Sequence, residues 1–158
     1  MDPQAQPLGY WALSPDDTTP GIAPDTPVMT LRGAVAVQSL VPGDRLVTRS
    51  GARVLRAVTR RAATVALVRF PAGTLGHDRP EDALLLAPSQ GVLIRDWRAM
   101  ALFGRPQAVV PAARLADGVT VRRLPAAPVR LFSLHLDGAQ VVQAGGLDLA
   151  FAPSDVPA

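Results

Sequence analysis

From Pro27 onward the chain alternates between short apolar runs and tight polar breaks. Runs rich in β-branched and aliphatic residues occur at Pro27–Thr30, Ala34–Val37, Leu46–Thr48, Val54–Val58 and Thr64–Val68. They continue at Leu84–Leu86, Gly91–Ile94, Val119–Leu124, Val129–Leu136 and Gln140–Ala144. Runs of this length, closed by Gly, Pro, Asp or Ser and recurring roughly every ten residues, predict strands of an all-β fold. Pro42-Gly43-Asp44 is a turn with a mechanism: Pro presets φ, Gly permits positive φ, and Asp accepts from nearby amides. Helical texture is confined to Asp96–Phe103 and Pro111–Ala116, with Asp96 placed to cap the first helix and Gly104 to end it. Trp97, beside the helix start, is expected to anchor the core.

The ends have a different texture. Residues 1–20 carry Pro3, Pro7, Pro15 and Pro20, which predicts an extended lead, with Tyr10, Trp11 and Leu13 able to dock it onto the body. Met1-Asp2-Pro3-Gln4 offers neither a basic nor an apolar segment, so no secretory signal is expected. No apolar run approaches the roughly eighteen residues that span a bilayer, and a cytoplasmic location without membrane attachment follows as the expectation. The tail, residues 152–158, is expected to fray.

Composition narrows the chemistry. There are 158 residues with no cysteine, which excludes disulfides, thiol catalysis and every Cys-containing metal site. Arginine supplies all sixteen basic side chains, so a net charge of only +3 coexists with a pI near 10.9, because no lysine titrates near pH 10. GC-rich codon usage accounts for this bias without any anionic partner. Seven of the arginines (45, 49, 53, 56, 60, 61 and 69) fall in an acid-free stretch between Asp44 and Asp78. Arg53, Arg56, Arg60 and Arg61 are therefore candidates for binding phosphate or another anionic surface. The stretch has no aromatic residue before Phe70, which argues against a platform for single-stranded nucleic acid.

Phosphate loops, H-E-x-x-H, G-x-S-x-G and EF-hand patterns are missing, and no metal or cofactor is expected. His135 sits in an apolar strand and reads as a strand histidine with one hydrogen bond. Ser133 is two residues away, but no acid is specified to orient a Ser–His pair. His77 and Asp78 lie in the densest polar cluster, Gly76 to Asp82, expected as a surface turn and kept as a candidate ligand site.

Two strings carry a resemblance. The first is Gly21-Ile22-Ala23-Pro24-Asp25-Thr26-Pro27-Val28-Met29-Thr30, followed by Val37-Gln38-Ser39-Leu40-Val41-Pro42-Gly43-Asp44-Arg45-Leu46-Val47-Thr48. The second is Leu86-Ala87-Pro88-Ser89-Gln90-Gly91-Val92-Leu93-Ile94. Together they resemble the blocks C-[FI]-x-x-G-T-x-[IV]-x-T, V-x-x-L-x-x-G-D-x-V-x-T and [LV]-[ST]-P-x-H-x-[VL]-[LF]-V of bacterial Hint (hedgehog/intein) domains. Arg98–Gly104, Val109–Gly118 and Val141–Leu147 extend the likeness, which covers about residues 21–151. It implies a horseshoe of short twisted strands with one or two short helices.

In active Hint domains a leading cysteine attacks the preceding carbonyl, helped by a Thr and a His that polarise the amide. Carried over by position, the nucleophile is Gly21, the Thr is Ala87, the His is Gln90, and a late histidine of this branch is Ala139. Gln90 keeps a hydrogen-bonding amide but cannot shuttle protons near neutral pH. The resemblance thus implies a catalytically inactive Hint-like domain with a binding or structural role and a protein or peptide partner. Gly21, Thr26 and Gln90 mark the former cleft as the expected site, with His77 and Asp78 as further candidates. Two alternatives stand beside this: residual self-processing or hydrolysis through Thr19 or His77, and nucleic-acid or anionic-surface binding through Arg45–Arg69.

Overall fold

A computed structural model describes residues 19–77 and 79–151. In chain order its strands are β1 (Pro27–Thr30), β2 (Gly33–Ala36), β3 (Arg45–Thr48), β4 (Gly51–Val54), β5 (Ala57–Val65), β6 (Val68–Phe70) and β7 (Leu84–Leu86). There follow β8 (Gly91–Ile94), the helix α1 (Trp97–Phe103), β9 (Ala108–Pro111), β10 (Arg122–Arg123), β11 (Ala127–His135), β12 (Gln140–Ala144) and β13 (Leu147–Phe151). The all-β expectation holds: every strand pairing is antiparallel, and α1 is the one α-helix among the described residues.

Eight strands form the large sheet in the order β2-β1-β3-β12-β13-β8-β9, with β4 added onto β3. A second layer consists of β10-β6-β7 and the long ribbon β11-β5. A single residue sews these two parts together. Ile22 bridges Leu86 of β7 on one side and Phe132 of β11 on the other. Its amide and carbonyl both bond Phe132 across 2.9 Å. Ile22, Leu46, Phe70, Leu86, Val142 and Leu149 belong to one fully buried core cluster that draws on both layers.

Local pattern explains most of the elements. In β1 and β3 alternate side chains turn inward, Val28 with Thr30 and Leu46 with Thr48, as a period of two requires. The ribbon is largely open to solvent along β5, but the middle of β11 buries side chains on both of its faces. Phe132 and Leu134 join the main core, whereas Leu131 and Val65 pack with Ala87 in a separate small cluster. Asp96 caps α1 by accepting from the Arg98 amide, and Gly104 closes it in the left-handed conformation.

Several expectations need correction. The run Val54–Val58 is two strands, because Leu55 turns inward and exchanges bonds with Asp44 and Gly43 (both 2.8 Å). Thr64–Val68 likewise divides between β5 and β6. Pro111–Ala116 forms no α-helix: Pro111 ends β9, and Ala112–Leu115 is a single 3-10 turn. In Val119–Leu124 only Arg122–Arg123 is strand, since the Asp117 carboxylate gathers the amides of Val119, Thr120 and Val121 into a turn at 2.8–3.0 Å. Strands β9 and β13 were not anticipated. Trp97 is no core anchor: it is 68 % exposed, with Arg98 lying 4.9 Å from its ring centre. The expected docking of Tyr10, Trp11 and Leu13 and the fraying of residues 152–158 lie outside the described residues.

Candidate functional site

Residue 21 stands at the seam between the parts of the second layer. The Gly21 carbonyl accepts from the Ala87 amide at 3.0 Å, and the Ser133 hydroxyl donates to the Pro20 carbonyl at 3.3 Å. Gly21 has φ +148°, a value that side chains other than glycine's rarely tolerate. A Cβ there would lie 3.0 Å from the Leu131 Cβ and 3.1 Å from the Phe132 carbonyl oxygen. Both atoms belong to β11 and are fixed by its pairing.

Ala87, completely buried, opens a tight turn closed by the Gln90 amide donating to the Ala87 carbonyl at 3.0 Å. Gln90 is completely buried as well. Its side-chain amide donates to the carbonyls of Ala150 (2.9 Å) and Gly91 (3.2 Å), on β13 and β8. None of its side-chain hydrogen bonds reaches the Pro20–Gly21 peptide. The Gln90 Oε1 and the Ser89 hydroxyl are buried without a protein partner. The structure therefore brings Gly21 and Ala87 together by a backbone bond and aims Gln90 elsewhere. Ala139 is exposed on the turn between β11 and β12, beyond the strand end at His135, whereas Ile22 meets β11 at Phe132.

The open space lies next to this seam. A cleft of about 430 Å³ runs past Ala23–Pro27 and Glu81–Leu85, with Ala34 and Gly145 on its far wall. Thr26 is buried at its edge and spends its hydroxyl on the Ala23 carbonyl, 2.7 Å away. Asp25, Glu81 and Asp82 line the cleft. Asp25 is bonded to the neutral Gln38 amide at 2.5 Å, and among the described residues no ion pair joins any of the three to an arginine. Elsewhere Asp44, Asp96, Asp137 and Asp148 each hold a guanidinium.

Other candidate residues are scattered. His77 is exposed on the 73–80 loop, and Asp78 lies outside the described residues. His135 has the expected single bond, Nε2 to the Thr59 hydroxyl at 2.9 Å. The four candidate arginines do not share a face. Arg53 is on β4 in the large sheet, and Arg60 and Arg61 are adjacent on β5 and so point to opposite sides. Arg56 is paired with Asp137 at 2.8 Å, and that hydrogen bond and charge hold the Asp137 carboxyl below its ordinary value. Among the described residues no three acids or histidines cluster in a way that would hold a metal ion, and no helix is long and apolar enough to cross a membrane.

Residues 20–150 match the Hint domain family. The chain belongs to that family. Solved structures carry the same fold at low identity. One is a bacterial intein-like domain from Clostridium thermocellum, 13 % identical with a TM-score of 0.60 over 85 % of this chain and 99 % of that one. Another is the gp41-1 intein, 10 % identical with a TM-score of 0.57 over 83 % and 98 %. A third is a DnaB intein from Synechocystis sp. PCC 6803, 10 % identical with a TM-score of 0.55 over 86 % and 99 %. No match was found among curated proteins. The position-by-position reading thus belongs to a real Hint domain. The rim acids Glu81 and Asp82 belong to the polar segment Gly76 to Asp82, but nothing in the sequence joined them to Asp25 across a cleft.

Proposed function

We propose that this Hint domain does not cut or splice its own chain and instead serves a binding or structural role. The reading is carried by residue 21. A nucleophile there needs a side chain, and the backbone at Gly21 combines a positive φ with only 3.0 Å of clearance to β11. The buried Gln90 amide, engaged by Ala150 and Gly91, supports the same view, since it has no acid–base capacity to lend the Pro20–Gly21 peptide. The partner is a protein or peptide segment seated in the 430 Å³ cleft beside Thr26, and the acids of its rim favour a segment carrying basic side chains. The test is the intact mass of the full chain carrying an N-terminal tag, stored with and without a thiol at neutral pH. The mass stays whole; a spontaneous break beside Gly21 overturns the proposal.

A further inference from the structure

Between the 73–80 loop and the large sheet, two guanidinium groups converge on one carboxylate oxygen. Arg79 Nη2 lies 3.4 Å and Arg95 Nη2 2.9 Å from Asp148 Oδ2. Asp148, on β13, is 7 % exposed, whereas the two arginine side chains remain about one-third open to solvent, at 31 % and 37 %. They line a cleft of about 230 Å³ whose apolar walls are Leu75, Leu93 and Ile94. The cleft's other acid, Asp96, is committed to Arg98: it accepts from that residue's amide at 2.9 Å and its guanidinium at 2.5 Å. Among the described residues this leaves one positive charge on the cleft without a counterion. It also leaves guanidinium N–H donors beyond the two aimed at Asp148.

We infer that the Arg79–Arg95 pair is a binding site for a carboxylate that bears an apolar substituent. The planar guanidinium fork matches the two oxygens of a carboxylate, and charge-assisted bonds of this kind are about twice as strong as neutral ones. Asp148 acts as the positioning group: buried itself, it holds both forks at the cleft. A single excess charge suits a monoanion, and Leu75, Leu93 and Ile94, which keep only 2–7 % of their surface exposed, meet its apolar substituent along a narrow edge. Either a free organic acid or the terminal carboxylate of a peptide supplies this chemistry. The inference is independent of whether the domain cuts itself.

The test is a titration of the full chain with 4-methylpentanoate and with N-acetyl-leucine, following the arginine Nε–H signals by NMR. The Arg79 and Arg95 signals shift saturably while those of Arg53 and Arg61 stay in place. Tighter binding of N-acetyl-leucine assigns the site to a chain end, and equal or weaker binding to a free acid. Arg95→Gln weakens binding at least about tenfold, as expected for loss of a charged hydrogen-bonding partner. Arg95→Lys, which keeps the charge but loses the fork, falls between. Asp78→Asn tests the remaining acid of the loop and leaves affinity equal or improved. Shifts at Arg79 and Arg95 no larger than those at Arg53 and Arg61, or no saturation by about 10 mM (about tenfold above a Kd of 1 mM, which is only about −4 kcal/mol), overturn the inference in the parent protein, so it does not depend on a variant folding.

Discussion

Putting a side chain back at position 21 tests whether the seam still has room for a nucleophile. Gly21→Ala and Gly21→Cys each place a Cβ at φ +148°, 3.0 Å from the Leu131 Cβ and 3.1 Å from the Phe132 carbonyl. A non-glycine residue held in such a backbone region costs about 1–3 kcal/mol. Forcing atoms into a packed site adds about 1–3 kcal/mol. Together these predict a loss of about 2–6 kcal/mol from a domain whose total stability is expected at about 5–15 kcal/mol. Gly33→Ala separates the two contributions, because Gly33 has φ +101° with nothing within 4 Å of its Cβ position. It should show the backbone penalty alone. Urea unfolding is the assay: with a slope of about 2 kcal/mol/M, a loss of 3 kcal/mol moves the midpoint down by about 1.5 M. The reasoning fails if Gly21→Ala unfolds no earlier than Gly33→Ala. It fails more seriously if Gly21→Cys remains as stable as the parent and splits beside residue 21 when thiol is added.

Gln90→Leu removes the donor to the Ala150 and Gly91 carbonyls and should cost about 1–3 kcal/mol in urea unfolding; an unchanged midpoint would mean that water serves those carbonyls equally well. Asp117 has its carboxyl held below the ordinary value by the Val119 and Thr120 amides first and then by the Val121 amide, against a desolvation that raises it. Its contribution to stability is therefore present above the unfolded pKa of about 3.9 and disappears as pH falls through the lower folded value. Carbon-detected NMR titration should give an Asp117 midpoint below that of an unstructured peptide, and a midpoint at or above it would remove the three-amide account. In the cleft beside Thr26, an arginine-rich peptide should bind with a steep salt dependence. Glu81→Gln combined with Asp82→Asn should weaken it about fivefold, the yield of two exposed ion pairs at about 0.5 kcal/mol each; identical anisotropy curves for parent and variant would exclude that rim as the contact.

Period-two alternation made strands such as β1 and β3 legible in the sequence, and the helix was legible from its caps, because Asp96 and Gly104 act through their own backbone geometry. What local pattern could not supply was the direction of a side chain decided by distant neighbours. Leu55 reads as mid-strand, yet its bonds to Asp44 and Gly43 bend the chain there. Trp97 reads as core by its size, but it lies on the outer side of α1 while Ala99 turns inward. At the candidate site, motif position named residue 21 together with Ala87, and a backbone bond joins the two. It could not show that Gln90 turns toward β8 and β13 or that Ala139 sits on an outer turn. The arginine-rich stretch looked like one surface only while strand alternation and the Arg56–Asp137 pair were out of view.

The one-residue stitch at Ile22 also has a kinetic side. The two parts of the second layer are not bridged through Ile22 until residues 22, 86 and 132 meet, and the ribbon itself pairs residue 57 with residue 135. No short hairpin can start that assembly. The chain must close its longest loops before it gains their burial, which places it among the slow, high-contact-order folders that take milliseconds to seconds. During that interval the unpaired nine-residue strand Ala57–Val65 waits for a partner synthesised roughly seventy residues later. Its arginines, Arg60 and Arg61, then serve as gatekeepers that discourage pairing with a neighbouring chain. The basic character of this segment thus has a use in the life of the unfolded chain, whatever it binds once folded.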